Sequence, residues 1–278
     1  MQSELGEDGS FAVTTVNLNG IRAAMKRGFG SWLDTEKPDI VLMQEVRAPS
    51  DIAADLMGDE WQVVSFPCEV KGRAGVAVAV RRGLEIGSVT EGIPGDDVDP
   101  RHTGRWLEVD VDLGFPLRVV STYLHSGEVG SQKQELKMEH LGRVQTRMGE
   151  LLSGVDGPSS ILVAGDFNIV RSENDIKNWK PNHNKHAGVL DDEIAFVNNW
   201  AQAGWVDVVR DLAGDVFGPY SWWSWRGRAF DNDTGWRIDY QFATPELAKR
   251  SSSFDVYRAS TGDLRFSDHA PVTVRYRY

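Results

Sequence analysis

Four short strings place an acid at the end of an apolar run: Gln44-Glu45, Gly165-Asp166-Phe167-Asn168, Trp236-Arg237-Ile238-Asp239-Tyr240 and Ser267-Asp268-His269-Ala270-Pro271. The first follows Asp39-Ile40-Val41-Leu42-Met43 and the second follows Ile161-Leu162-Val163-Ala164, both of which read as buried strands. An ionised carboxylate is costly to bury unpaired, so packing is a poor reason to keep one there. One such acid is an ordinary cap or turn residue. Four in one chain, the last beside an imidazole, favour a fold in which several strand ends converge. That convergence would gather carboxylates, amides and one imidazole, a set suited to a hard divalent cation and a phosphate ester.

The rest of the chain reads as α/β. At 278 residues, 41% of them hydrophobic, one large domain is expected, although length alone would also permit two. Residues 1–10 carry Gly, Ser and acids without periodicity and read as a mobile tail, leaving 11–278 as a single catalytic domain. Phe11–Val16, Val76–Val80 and Leu117–Tyr123 read as strands. Trp106–Val111 alternates apolar and polar, as in a sheet with one wet face. Ile21–Lys37 reads as one helix that stops before Pro38. A second helix starts at an N-cap, Ser131, with Gln134 three residues on, and Met138, Leu141, Val144, Met148 and Leu151 recur on its core face. A third spans about Asp191–Ala203, and Gly92–Gly104 reads as a loop inside a continuous strand pattern. Strands in runs with a few long helices predict two stacked sheets flanked by helices.

Net charge is −11, whereas nucleic-acid binders are commonly basic on one face. Distribution decides binding, however, and basic residues cluster at Arg22-Lys26-Arg27, Lys71-Arg73, Lys133-Lys137 and Arg226-Arg228. The expectation is an acidic body with a basic rim. One cysteine, Cys68, excludes an internal disulfide and fits a reducing compartment. No segment resembles a signal peptide or approaches the roughly 18 apolar residues of a membrane span, so a soluble cytoplasmic protein is expected.

The strings and their order resemble the exonuclease III family of abasic-site endonucleases, within the wider superfamily of metal-dependent phosphodiesterases. The resemblance runs from about Phe11 to the end of the sequence. It rests on Asn17-Leu18-Asn19-Gly20-Ile21-Arg22-Ala23, Met43-Gln44-Glu45, Thr122-Tyr123, Gly165-Asp166-Phe167-Asn168, Gly235-Trp236-Arg237-Ile238-Asp239-Tyr240 and Ser267-Asp268-His269. It implies a four-layer α/β sandwich of two stacked mixed β-sheets flanked by helices, with a Mg²⁺ site (Mn²⁺ an alternative) at one end.

On that resemblance Glu45 and Asp268 are the expected metal ligands, with Asn19 touching the metal or its water shell. Asp166 either orients or deprotonates the attacking water or protonates the leaving group. Asn17 and Asn168 would contact non-bridging oxygens or the water. His269, paired with Asp239, would stabilise charge on the phosphate, and Tyr123 would contact the scissile phosphate. Trp222, Trp236 and Ile238 match the pocket for a flipped-out sugar that lacks its base. Trp225 and Arg226 fall beside the duplex, Lys71 and Arg73 belong to the basic rim, and Asn182 lies near a phosphate-contacting position. After Tyr123 the chain departs from many relatives: Leu124-His125-Ser126-Gly127-Glu128-Val129 puts Ser126 where an amide would meet phosphate.

The implied function is a monomeric DNA-repair phosphodiesterase acting on double-stranded DNA with abasic or 3′-blocked lesions. Alternatives are a dominant 3′-to-5′ exonuclease, a phosphodiesterase acting on RNA or on a lipid headgroup, and a catalytically dead DNA-binding scaffold. Retention of the acid and amide set argues against the last. The lipid reading lacks an amphipathic anchor in the sequence.

Overall fold

Side-chain alternation along the strands decides the layering. In the computed structural model, which describes residues 9–94, 96, 99–154 and 157–278, Val76, Val78 and Val80 turn into one core while Ala77 and Ala79 turn into another. Residues 1–8 of the expected tail, and Gly95, Asp97 and Val98 of the expected loop, lie outside the described residues. Both faces of each sheet are covered, which explains why so many strands are apolar throughout.

The first sheet runs β11-β12-β1-β2-β4-β3. Its strands are β1 (Ser10–Asn17), β2 (Ile40–Gln44), β3 (Trp61–Phe66), β4 (Val76–Arg81), β11 (Ser251–Val256) and β12 (Val272–Arg277). The second runs β5-β6-β7-β8-β10-β9, with β5 (Glu85–Glu91), β6 (Trp106–Asp112), β7 (Pro116–Tyr123), β8 (Ser160–Asp166), β9 (Val206–Asp207) and β10 (Asp239–Ala243). Each sheet holds one parallel pair at its centre, β1 with β2 and β7 with β8, and is otherwise antiparallel. Phe11, Val13, Leu42 and Val78 meet Leu107, Val109, Val119 and Leu162 between the sheets. Outside the first sheet lie α1 (Ile21–Lys26), α2 (Phe29–Glu36) and α3 (Ser50–Met57), and outside the second lie α4 (Gln132–Ser153) and α6 (Asp191–Ala203). The short helices α5 (Trp179–Asn182), α7 (Val208–Ala213) and α8 (Pro245–Ala248) are the remaining α-helices among the described residues. The four layers match the expected class.

Three local expectations are corrected. Ile21–Lys37 is two helices, because the chain turns at Arg27-Gly28, where Gly28 has φ 107°. The polar face of β6 is wet only toward its far end, where Asp110 is half-buried and Asp112 exposed: Glu108 is only 2% exposed, and its carboxylate accepts from Trp106 Nε1 (2.8 Å) and Arg147 Nε (2.7 Å) beneath α4. Paired charge thus allowed a polar position to be buried. Ser131 does cap α4, accepting from Lys133 N at 3.2 Å, but Gln134 reaches across to Glu193 rather than back to the cap. The two sheets also do not divide the chain into halves, since β11 and β12 return to the first sheet. No helix among the described residues is long and apolar enough to cross a membrane.

Candidate active site

Parallel pairing aims β1 with β2, and β7 with β8, in common directions, so Asn17, Gln44, Tyr123 and Asp166 each close a strand of a central pair. Asp239 opens β10 directly opposite Asp166 in register. Polar bonds tie the two sheets together beneath these ends. Gln44 Nε2 donates to Ser121 Oγ at 3.1 Å, and Ser121 Oγ donates to Met43 O at 3.0 Å. Gln241 Nε2 donates to Val13 O and Val272 O at 2.9 and 3.0 Å. The glycine before Asp166 is a steric requirement: a Cβ on Gly165 would lie 1.8 Å from Thr122 O. Just past β2 the backbone reverses, leaving Glu45 at φ 47°, a left-handed conformation uncommon for residues other than glycine.

From these ends runs one continuous polar line. Asn17 Nδ2 donates to Glu45 Oε1 and to Asp166 Oδ2, both at 2.8 Å, and so bridges the two sheets. Asp166 Oδ1 accepts from Asn168 N at 2.9 Å, and Oδ2 lies 3.6 Å from His269 Nε2. The other ring nitrogen of His269 donates to Asp239 Oδ2 at 2.9 Å, and that oxygen also accepts from Ser221 Oγ at 2.6 Å. The loop carrying Asp268 and His269 is held by Trp223 N donating to Asp268 O (3.1 Å) and Ala270 N donating to Ser221 O (2.7 Å).

Burial raises Asp166 to about 7, assisted by the nearby Asp239 and Glu45 charges and opposed by His269. Burial alone would discharge His269, but Asp239 and Asp166 outweigh it and raise the ring to about 10. Near neutrality His269 is therefore an imidazolium held between the Asp239 carboxylate and Asp166, which itself exchanges its proton in that range. Burial also pushes the Tyr123 phenol well above its usual range, with Glu45 and Asp166 adding to the effect, so it remains a hydrogen-bond donor. Burial works against ionised Asp268, yet His269, the Asn19 amide and the Trp222 indole together hold it below its ordinary value.

A hard cation needs accessible oxygen ligands. Asp166, Asp239 and His269 offer ligand atoms within 4.8 Å of one another, but they are buried and already bonded to each other. Glu45 and Asp268 fit better, as both line the open cleft and are only partly buried, and their oxygens meet N–H donors rather than one another. Asn19 belongs beside them in a supporting place: its Nδ2 donates to Asp268 Oδ1 at 2.9 Å. Arg47 forms an ion pair with Glu45, a contact without a sequence signal.

The cleft has a volume of about 810 Å³ and brings together Glu45, Tyr123, Asp166, Asn168, Asp268 and His269 with Arg73, Ser126, Asn182, Trp222, Trp236 and Ile238. Trp222 and Trp236 meet edge to face at 5.6 Å, and Trp222 Nε1 donates to Asp268 Oδ2 at 3.1 Å. Ile238 contributes only an edge, since most of it is buried in the core beneath α4 and α6. An adjoining groove of about 440 Å³ carries Arg47, Arg73, Arg101, Arg105 and Lys133. Arg226 is exposed next to Trp225, which is 42% exposed and has the guanidinium groups of Arg27 and Arg265 at 5.2 and 4.2 Å from its ring. Lys71 is exposed but does not line the cleft. Lys137 leaves the expected rim altogether: it is fully buried and paired with Glu193 at 2.9 Å. Sequence reasoning also missed Ser221 behind Asp239 and Arg105 over the Tyr123 ring at 4.9 Å.

An open cleft with an imidazolium, a poised carboxylate and flanking guanidinium groups defines a phosphoester hydrolase. The profile of the Endonuclease/Exonuclease/phosphatase family matches residues 14–269, and the chain belongs to that family. It is 31% identical over 257 residues to the exodeoxyribonuclease of Bacillus subtilis (strain 168), covering 92% of this chain and 95% of that protein. It is 26% identical to the DNA-(apurinic or apyrimidinic site) endonuclease of Dictyostelium discoideum, over 96% of this chain and 71% of that one. Among solved structures an AP endonuclease from Archaeoglobus fulgidus superposes with a TM-score of 0.80 at 25% identity, over 96% of this chain and 99% of that chain. The protein is accordingly a hydrolase of the nuclease type.

Proposed function

We propose that this protein incises duplex DNA on the 5′ side of abasic sites as a monomeric, Mg²⁺-dependent repair phosphodiesterase, Mn²⁺ serving as a substitute. Trimming of 3′ ends and removal of 3′ phosphate accompany that activity, and residues 11–278 act as one catalytic unit. The observation that carries the reading is the Asn17 bridge, which joins the accessible carboxylate Glu45 to the buried base candidate Asp166 at 2.8 Å on each side.

When bound by Glu45 and Asp268, Mg²⁺ supplies charge neutralisation to the phosphoryl group and the departing 3′-oxygen. Asp166, fixed by Asn17 and Asn168, takes a proton from the attacking water. His269, held by Asp239, presents its imidazolium to a non-bridging oxygen. Tyr123 donates its phenol hydrogen to the same phosphate. Trp222 and Trp236 wall a slot that accepts a sugar without its base, where unstacking is cheapest. Arg73, Asn182, Arg226 and the groove arginines grip the backbone, and cytoplasmic DNA is the expected substrate.

The test is cleavage of a labelled duplex with one abasic site, with and without EDTA, beside an undamaged duplex. Metal-dependent incision at the lesion is expected; a duplex left intact in saturating Mg²⁺ overturns the reading. Trp236→Ala should lower the ratio of lesion incision to undamaged-strand degradation about tenfold, since a widened slot no longer excludes a base. An unchanged ratio favours a general 3′-to-5′ exonuclease.

A further inference from the structure

Away from the acid line, three histidines from separate elements come together: His102 from the Gly92–Gly104 segment, His125 just past β7 and His140 on α4. One nitrogen from each ring lies within 4.8 Å of the other two. His102 Nδ1 and His125 Nε2 are 3.0 Å apart. Two imidazoles on a tetrahedral zinc ion, with bonds of about 2.0–2.1 Å, hold their nitrogens about 3.3 Å apart. For that pair a few tenths of an ångström separate the observed spacing from the metal-bound one, and the His140 nitrogen lies within 4.8 Å of both.

Three further ring nitrogens, one on His102 and both on His140, are unsatisfied. His102 Nε2 and His140 Nδ1 are buried with no hydrogen-bond partner among the described residues. His140 Nε2 faces Asp96 Oδ2 at 3.8 Å, beyond hydrogen-bond length. Buried polar atoms without partners are rare and call for an ion or water. A carboxylate behind a ring is also the usual companion of a metal-bound imidazole. Burial drives all three rings toward the neutral, ligating form, and Arg105 and Arg143 reinforce it, with Asp96 and Asp99 offsetting those charges. His125 borders the basic groove, which gives an ion a path in.

We propose that His102, His125 and His140, backed by Asp96, form a second metal site that takes a transition dication of the zinc type. Imidazole nitrogens suit such ions, whereas the oxygen ligands at Glu45 and Asp268 suit Mg²⁺. The ion would fasten together the segment bearing Arg101 and Arg105, the Leu124–Val129 segment bearing Ser126, and α4. Those first two segments line the groove and cleft, so occupancy would set how firmly the DNA-facing side chains are held.

The test uses the whole chain, stripped with chelator and titrated with Zn²⁺ by calorimetry in excess Mg²⁺, with Co²⁺ absorption as a geometric readout. One equivalent is expected to bind in the parent and in Glu45→Gln, to give tetrahedral Co²⁺ bands, and to raise the melting temperature. His125→Gln and His102→Gln should each weaken binding by at least about tenfold, as loss of a ligand does. Both retain buried-pocket volume, so they carry the test even if His140→Gln fails to fold. The proposal is overturned if the parent binds no Zn²⁺, if binding disappears in Glu45→Gln, or if His125→Gln and His102→Gln keep the parent affinity.

Discussion

His269 lies between Asp239 at 2.9 Å and Asp166 at 3.6 Å, and on the proposed mechanism the shared charge would set how activity responds to pH. Asp166 releases its proton near 7 and His269 near 10, so kcat/KM should rise through the first value and fall through the second. Asp239→Asn removes the main support of the imidazolium, and the alkaline limb should move down by about one pH unit or more. A pH–rate profile with an unmoved limb would make the pair structural only. Stability should respond in the opposite sense. Folded Asp166 keeps its proton up to about 7, whereas an unfolded aspartate ionises near 4. The folded chain thus binds more protons in that window and loses stability as pH rises through it. Asp166→Asn should therefore melt about 2–4 °C higher than the parent at pH ~8, with the gap closing at pH ~4, while turnover collapses. Equal melting temperatures at both pH values would mean that the buried charge costs nothing. The acids at Glu45, Asp166, Asp239 and Asp268 were legible in the sequence because a charge ending an apolar run is anomalous. Ser221, Arg47 and Arg105 were not, because a serine or an arginine in a polar stretch looks like any surface residue until the fold brings it to the site.

Helices α4 and α6 meet across the Lys137–Glu193 pair, and the same ammonium donates to Asn168 O at 3.0 Å and Ser126 O at 3.2 Å. Two backbone segments of the cleft are therefore pinned by one buried cation. Lys137→Met leaves Glu193 buried without its partner and should cost about 3–5 kcal/mol in urea unfolding, with Lys137→Met/Glu193→Leu recovering part of it. A single variant as stable as the parent would mean that water reaches the pair. Periodicity found α6 with the bounds observed and found the core stripe of α4, because both bury one apolar face over several turns. It ran α1 and α2 together, since the helical pattern continues in phase across a single glycine turn. It also took Glu108 on β6 for a wet position, because alternation reports polarity and cannot distinguish water from the guanidinium groups of Arg118 and Arg147.

Over the whole molecule, a formal charge of −11 coexists with exposed Arg22, Lys26, Arg27, Arg73, Arg226 and Arg228. DNA affinity should fall with salt, and Arg226→Ala should flatten the slope of log affinity against log salt by about one unit, as each phosphate contact releases a counterion. A parent slope near zero would exclude phosphate-dominated binding. The layer architecture was legible in the sequence, but strand order was not, because no local signal says that residues 272–277 pair with residues 10–15. That pairing has a consequence during vectorial synthesis. β1 leaves the ribosome first, yet β12 belongs between β11 and β1, so one edge of the first sheet waits for nearly the whole chain. Asp268 and His269 emerge just ahead of β12. The strand that closes the sheet thus arrives with the imidazolium and the second carboxylate, and on the proposed roles of these two residues a tethered, unfinished chain would lack the means of cutting the nucleic acid around it.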